Sequence, residues 1–419
     1  MAVSNSDAAV AAGHSPGIQY TAAAAVLFLT LLGSHLATPL YPHWQDVFGL
    51  TTAHITMVFA CYPIGVTIGL LFGGRLGDQV GRRPMVLVGI LLTACSSLVY
   101  LMASGMGHLV AARLLNGLAI GLLSGPAVAA IVELHPTGDK AAASRIGAIA
   151  TLAAPAAGLL MATLVVHFAA IGMIATLPFL IQLCGLALAL GLLLVYRETL
   201  LPHNRRTFGV ASFAPQGLWV PEEIRAPFTF AAVTGALAWA NTGLWLALGP
   251  AMVSDVIGSN DGLLSGLAVV GFLTMAGLVQ LFTRGMGYRR AISLGLGLIP
   301  PSLVLICATL LWRSGLGLFC GAVLAGMAQG LSWMGCSELT NRIAPTGLRA
   351  SVLSTLYIAG YFGAAIPVVA TGFIADWLGL FPAIVLMAAV FVILAVVLLL
   401  QNMRFGRAEW FAPPPPPAT

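Results

Sequence analysis

The sequence predicts an all-α membrane protein with twelve transmembrane helices in two pseudo-symmetric six-helix bundles. Composition, the spacing of apolar blocks between basic loops, and an internal repeat carry that prediction. The chain has 419 residues, 59% hydrophobic and only 7% charged, where soluble domains carry roughly a quarter charged residues. No soluble fold of this length hides so much apolar surface, so lipid is the solvent. A bilayer core of about 30 Å needs about 20 apolar residues per helix, and barrel strands would instead alternate in short segments.

Twelve blocks meet that length: 19–45, 54–74, 84–104, 107–133, 143–168, 174–196, 227–252, 262–283, 290–312, 315–339, 350–375 and 380–403. They predict a cytoplasmic N-terminal tail at 1–18, a first bundle at 19–197, a cytoplasmic linker at 198–226, a second bundle at 227–403 and a Pro-rich cytoplasmic tail at 404–419. In the linker, "WVPEEIR" reads as a short surface helix. The tail "APPPPPAT" reads as polyproline without a regular fold. Met1–Gly17 lacks a basic leader region, so the first block is expected to be retained.

Charge tests the count and sets the orientation. With both termini cytoplasmic, sixteen of the eighteen basic residues fall in cytoplasmic segments. These are Arg75, Arg82 and Arg83; Lys140 and Arg145; Arg197, Arg205, Arg206 and Arg225; Arg284, Arg289 and Arg290; Arg342 and Arg349; Arg404 and Arg407. Only Arg113 and Arg313 lie elsewhere. A missed or added helix would scramble this positive-inside bias. The net charge of +5 is dispersed between apolar blocks and builds no basic face, which excludes a nucleic-acid partner. All six cysteines sit inside apolar blocks, as small core residues do, with neither a disulfide framework nor zinc spacing.

The halves are related. "HPTGDKAAAS" (135–144) matches "APTGLRASVL" (344–353), and the same offset carries Gly117 and Gly121 onto Gly326 and Gly330. "GRRP" (81–84) is echoed by "GYRR" (287–290). Parallel repeats of six helices are the organisation of two-bundle transporters. Glycine stripes at Gly65, Gly69 and Gly73, and at Gly117, Gly121 and Gly125, predict close helix seams.

Charge concentrates in "GGRLGDQVGRRPMV" (73–86). The pattern Gly74-x-Leu76-x-Asp78-x-x-Gly81-Arg82-Arg83 resembles the signature loop of the major facilitator superfamily. "RLLNGLAIG" (113–121) resembles a second motif of that family, built around an intramembrane arginine. "TPLYPHWQ" (38–45) is similar to bacterial drug-exporter members. "ATLAAPAAGLL" (150–160) resembles the antiporter motif, with Ala154 in place of the glycine before Pro155 and only Gly158 left of the following glycine pair. The resemblance implies a secondary transporter of the bacterial inner (plasma) membrane, without cofactor, acting as a monomer on a small-molecule substrate with protons as the coupling ion.

For the charged segment the residues predict tight turns at Gly74 and Gly81 and place Asp78 at the N-terminal end of span 11, near Ala350 and Ser351. The resemblance implies a gating latch in which Arg82, with Arg83 beside it, pairs with Glu133. Glu338 with Arg289 or Arg290 is the expected counterpart in the second half, although Arg284 stands where the offset would place the acid.

All thirteen acids fall in loops or near span ends, so no carboxylate is available mid-membrane. Ionisable residues inside spans are functional candidates because each is costly there. Two remain, His35 in span 1 and Arg113 in span 4. His35 is either a hydrogen-bonded core histidine or the proton carrier, its ordinary pKa of about 6.5 suiting exchange near neutrality. Arg113 is either a clamp on span 1 carbonyls or a ligand for an anionic group or proton-coupling partner. Uncharged candidates for substrate contact are Asn116, Trp239, Asn241, Trp245, Gln329, Trp333, Tyr357 and Tyr361, each also readable as packing or interhelical bonding. They predict a binding cavity with one aromatic wall and one weakly basic wall. Proton-driven export of an amphipathic compound and uptake of a small organic anion both fit. No HExxH, GxSxG or P-loop pattern supports an enzyme.

Overall fold

The computed structural model describes residues 15–200, 219–257, 262–283, 285–345 and 347–405. The polyproline stretch, Arg205, Arg206, Arg284 and Arg407 lie outside them. Eleven helices among the described residues are long and apolar enough to cross a membrane, and Leu177–Leu193 is a shorter apolar helix. Residue packing divides the chain into two units, 1–216 and 217–419.

In the first unit, span 2 is Thr52–Val80, span 3 Arg82–Leu101, span 4 Met106–Glu133, span 5 Lys140–Phe168 and span 6 Leu177–Leu193. Polar residues start several of these helices. Thr51 accepts the N–H of His54 at 3.3 Å and donates its own to His54 Nδ1 at 3.1 Å, a capping box that satisfies two otherwise orphaned groups. Asp139 accepts the N–H groups of Ala141 and Ala142 at 2.9 and 3.0 Å. The bond from Ala142 is the main reason that its carboxyl is held below the usual aspartate range.

Span 1 departs from the single helix predicted at 19–45. An α-helix, Pro16–Leu31, gives way to 3₁₀ turns at Leu32–His35 and Thr38–Leu40, and a second helix, Tyr41–Phe48, follows. Pro39 and Pro42 each open an element, because proline lacks the N–H an interior turn would use and crowds the preceding carbonyl. Span 6 is shorter than the predicted 174–196, residues 174–176 and 194–195 forming turns on either side of the helix. The signature segment also differs from the predicted loop. Span 2 stays helical through Gly74 to Val80, and Gly81 alone makes the turn, at φ 120° and ψ 163°. Nothing before Gly81 stops the helix, and only glycine enters that region of φ freely.

The second unit holds span 7 (Arg225–Ile257), span 8 (Gly262–Phe282), span 9 (Tyr288–Trp312), span 10 (Gly315–Ile343), span 11 (Arg349–Leu378) and span 12 (Leu380–Phe405). Of "WVPEEIR", Glu222–Ile224 forms a 3₁₀ turn that leads into span 7.

The repeat recurs as helix crossings. In the first unit Gly117 and Gly121 of span 4 press on the backbone oxygens of Tyr62 and Val66 in span 2. In the second, Gly326 and Gly330 of span 10 press on those of Phe272 and Ala276 in span 8. The first seam is glycine on both sides: a Cβ on Gly69 would lie 2.7 Å from Gly121 Cα. Gly125, expected in the same stripe, faces open space, and the seam passes instead to Pro126, whose ring lies 2.8 Å from where a Cβ on Gly77 of span 2 would sit.

Candidate functional site

Polar groups collect at three places, two inside the membrane-spanning region and one at the Gly81 end of the first unit. The first surrounds the break in span 1. Arg113 is 2% exposed. Its Nη1 donates to the Ser34 carbonyl at 2.9 Å and its Nε to the Tyr41 hydroxyl at 3.0 Å. Nη2 donates to the same hydroxyl. The guanidinium also lies over the rings of Tyr41 and Tyr62, 5.4 and 5.8 Å from their centroids. His35, next to Ser34, meets the Tyr62 ring edge-on at 5.9 Å. The arginine thus fills carbonyl and hydroxyl valences that the broken helix leaves open. A histidine sits in the same turn.

Two features support this turn from outside. Gly158, the glycine of the antiporter-like segment, packs directly on the Leu32 carbonyl, where a Cβ would collide. Trp44 stacks on Tyr100 at 5.5 Å, and Tyr100 on Phe179 at 4.4 Å, so spans 3 and 6 wedge the second helix of span 1. Asn116, one turn along from Arg113, is buried, and its Oδ1 has no partner among the described residues. Tyr41 and Tyr62 were not among the predicted site residues. "TPLYPHWQ" contained the first, whereas nothing in the span 2 sequence marks the second.

The second place is an aromatic cluster in the other unit. Trp239 of span 7 meets Trp333 of span 10 at 5.2 Å and Tyr361 of span 11 at 4.7 Å, and Trp333 meets Tyr357 at 5.1 Å. All three contacts are edge-to-face, the arrangement that aromatic quadrupoles favour. Glycines admit the indoles: a Cβ on Gly360 or Gly235 would come within 3.2 Å of Trp239 or Trp333. Trp239 Nε1 and Gln329 Oε1 are buried without a partner among the described residues. Asn241 donates to the Ala325 carbonyl at 3.3 Å, but its Oδ1 is unpartnered. Trp245 stacks instead on Phe272 at 6.0 Å and is fully buried, its Nε1 likewise unpartnered. The expected set of substrate residues is therefore split, with Trp245 packed into the helix interior.

The third place is charged. Arg82 Nη1 donates to Asp78 Oδ1 at 2.6 Å, and Nη2 lies 3.5 Å from Glu133 Oε1. Glu133 also accepts the Thr199 hydroxyl. Glu198, which the sequence reading placed only in a linker, accepts the backbone N–H groups of Arg82, Arg83 and Leu200 at 2.9, 3.0 and 2.9 Å. It caps span 3, where a carboxylate meets free N–H groups and the positive end of the helix dipole. Arg83 Nε donates to the Leu193 carbonyl at 3.0 Å, at the last turn of span 6. The ends of spans 2, 3, 4 and 6 are thereby stitched together around Gly81.

In the second unit Glu338 pairs with Arg342, one turn on, at 2.5 Å. Arg342 also covers the Tyr288 ring at 5.3 Å. This differs from the expected pairing with Arg289, whose carbonyl accepts Asn402 Nδ2 at 3.2 Å. A partner four residues along the same helix is reached without ordering a second segment.

A family model described as Major Facilitator Superfamily matches residues 23–366. The quinolone resistance protein NorA of Staphylococcus aureus is 25% identical over 115 residues, 27% of this chain and 30% of NorA, so the match spans less than a third of that relative. An uncharacterized MFS-type transporter of Mycobacterium tuberculosis is 27% identical over 135 residues, 31% of this chain and 23% of that protein. Among solved structures, the nucleoside transporter NupG is similar with a TM-score of 0.69 at 13% identity, covering 92% of this chain and 99% of its own. A bacterial homologue of the human lysosomal transporter Spinster reaches 0.72 at 13% identity over 96% and 99%. A D-xylose–proton symporter reaches 0.70 at 17% identity over 90% and 96%. At these identities the structural likeness establishes the fold.

Proposed function

The chain belongs to the Major Facilitator Superfamily and is a transporter, and from that premise we propose that it exports a small amphipathic molecule across the bacterial inner membrane in exchange for protons. The aromatic cluster of the second unit carries this reading. Trp239, Trp333, Tyr357 and Tyr361 offer large apolar faces, with one unpartnered donor, Trp239 Nε1, and one unpartnered acceptor, Gln329 Oε1. Buried polar atoms without partners are costly, and a molecule with a flat apolar body and a polar edge satisfies both. The partial similarity to a quinolone resistance protein points the same way.

Uptake of an organic anion would need a cation with free donors. Arg113 spends three of its five N–H groups on Tyr41 and Ser34 and is buried, which favours export. In this scheme His35 carries the proton, and Arg113 holds the turn that presents it. Asp78, Arg82, Arg83, Glu133 and the Gly81 turn act in gating by keeping the span ends of the first unit together. Glu338 serves at the equivalent end of the second.

Proteoliposomes holding a fluorescent amphipathic amine under an imposed pH gradient test the proposal. Substrate should move against the proton flux, and His35→Gln should give the same slow rate at every gradient. Movement of substrate with the protons would establish uptake instead. A wild-type rate indifferent to the gradient would leave a facilitator. An unchanged pH profile in His35→Gln would remove His35 from the coupling.

A further inference from the structure

We propose that the groove between spans 3 and 6 at the Gly81 end is a binding site for a phospholipid. One acyl chain would lie in the groove and the headgroup phosphate on Arg83. The groove has a volume of about 530 Å³ and is lined by Arg83, Pro84 and Leu87 from span 3 and by Leu190, Leu194 and Glu198 from span 6 and the residues after it. It lies wholly within the first unit, and His35 is not among its lining residues. Leu87 is 38% exposed and Leu194 74% exposed, so it opens on the outer face of the helices, which in a transporter is lipid.

The chemistry at its mouth selects the occupant. Arg83 Nε is fixed on the Leu193 carbonyl, which aims the guanidinium rather than leaving it free to swing. Its Nη groups have no hydrogen-bond partner among the described residues. Glu198 instead accepts the backbone N–H groups of Arg82, Arg83 and Leu200. A fixed guanidinium with two free amino groups matches a phosphodiester in the fork geometry that arginine favours. Apart from Glu198, which is held on those backbone N–H groups, the rest of the lining is leucine, proline and Gly191, which suits a hydrocarbon chain and gives a soluble phosphate nothing further to bind. Basic pockets between spans are general sites for lipid headgroups. In the orientation proposed above the lipid comes from the cytoplasmic leaflet. Bound there, it would bridge the same two spans that Glu198 and Arg83 already tie together.

Native mass spectrometry of the detergent-solubilised full chain, titrated with dioleoyl phosphatidylglycerol or with dioleoylglycerol, tests the site. The first phosphatidylglycerol should bind about tenfold more tightly than dioleoylglycerol, which has the same chains without the phosphate. Arg83→Gln should abolish that difference. Leu190→Trp fills the groove without touching the guanidinium and should weaken both lipids. Leu98→Trp, on an exposed part of span 3 remote from the groove, should change neither. Equal affinity of wild type for the two lipids would overturn the phosphate contact. Undiminished binding to a folded Leu190→Trp protein would overturn the groove, whether or not Arg83→Gln folds. Displacement of the lipid by inorganic phosphate would overturn the choice of a lipid.

Discussion

Gly81 is where three demands on one residue meet. The chain needs a left-handed φ of 120° there, span 3 needs its first N–H groups capped, and a Cβ would lie 2.5 Å from the Glu198 oxygen that caps them. The glycine was legible from "GDQVGRRP", but the acid was not, since Glu198 is more than a hundred positions away and its role depends on span 6 ending beside span 3. Glu198→Ala leaves those N–H groups without their acceptor and should cost about 1 kcal/mol of stability, seen as a fall of about one degree in the melting temperature of the purified protein. Asp78→Asn acts differently. It keeps the shape but removes the charge that Arg82 holds at 2.6 Å, a bond of the charge-assisted kind. If that pair works in gating, turnover should fall by about tenfold or more while expression and equilibrium substrate binding hold. Normal turnover in that variant would show that the pair is structural only.

Helices were easier to read than their faults. Hydropathy averaged over a window carries span 1 smoothly past residue 32, yet "GSHLATPLYP" holds the glycine and two prolines that break it. The break matters because it frees the Ser34 carbonyl for Arg113 and sets His35 in a 3₁₀ turn. The glycine stripes show the opposite error. Spacing of four puts Gly117, Gly121 and Gly125 in one stripe of span 4, but at about 3.6 residues per turn such a stripe drifts around the helix, and by this turn Pro126, not Gly125, faces Gly77 of span 2. The contacts separate them: Gly121 abuts the Val66 carbonyl, and Gly125 meets nothing within 4 Å. Gly121→Ala should therefore destabilise the protein by about 1–3 kcal/mol, the usual cost of overpacking. Gly125→Ala should be neutral or stabilise it by up to about 1 kcal/mol, since alanine is the better helix former. Paired thermal melts in one detergent check both, and equal shifts would mean that the seam is looser than its geometry.

For the molecule as a whole, twelve apolar blocks and a half-chain repeat were enough to read the fold, because a bilayer imposes span length and pairs each helix's polar backbone internally. Which polar side chains meet was less legible. Arg113 with Tyr41, and Trp239 with Tyr361, are joined by crossings of helices far apart in sequence, and apolar blocks carry no signal of which faces meet. Orientation rests on a different physical ground, the bias of arginine and lysine toward the cytoplasmic side, and can be tested independently of transport. In a background without the six native cysteines, Thr137→Cys lies between spans 4 and 5, next to Lys140, and Ser104→Cys lies between spans 3 and 4, in a segment without a basic residue. A membrane-impermeant maleimide applied to intact cells should label Ser104→Cys and spare Thr137→Cys, which should react only after permeabilisation. The reverse pattern would invert the protein and place the Gly81 cluster, with its proposed gate and lipid site, on the outer face. Labelling of both from outside would mean that the charge asymmetry does not fix a single topology.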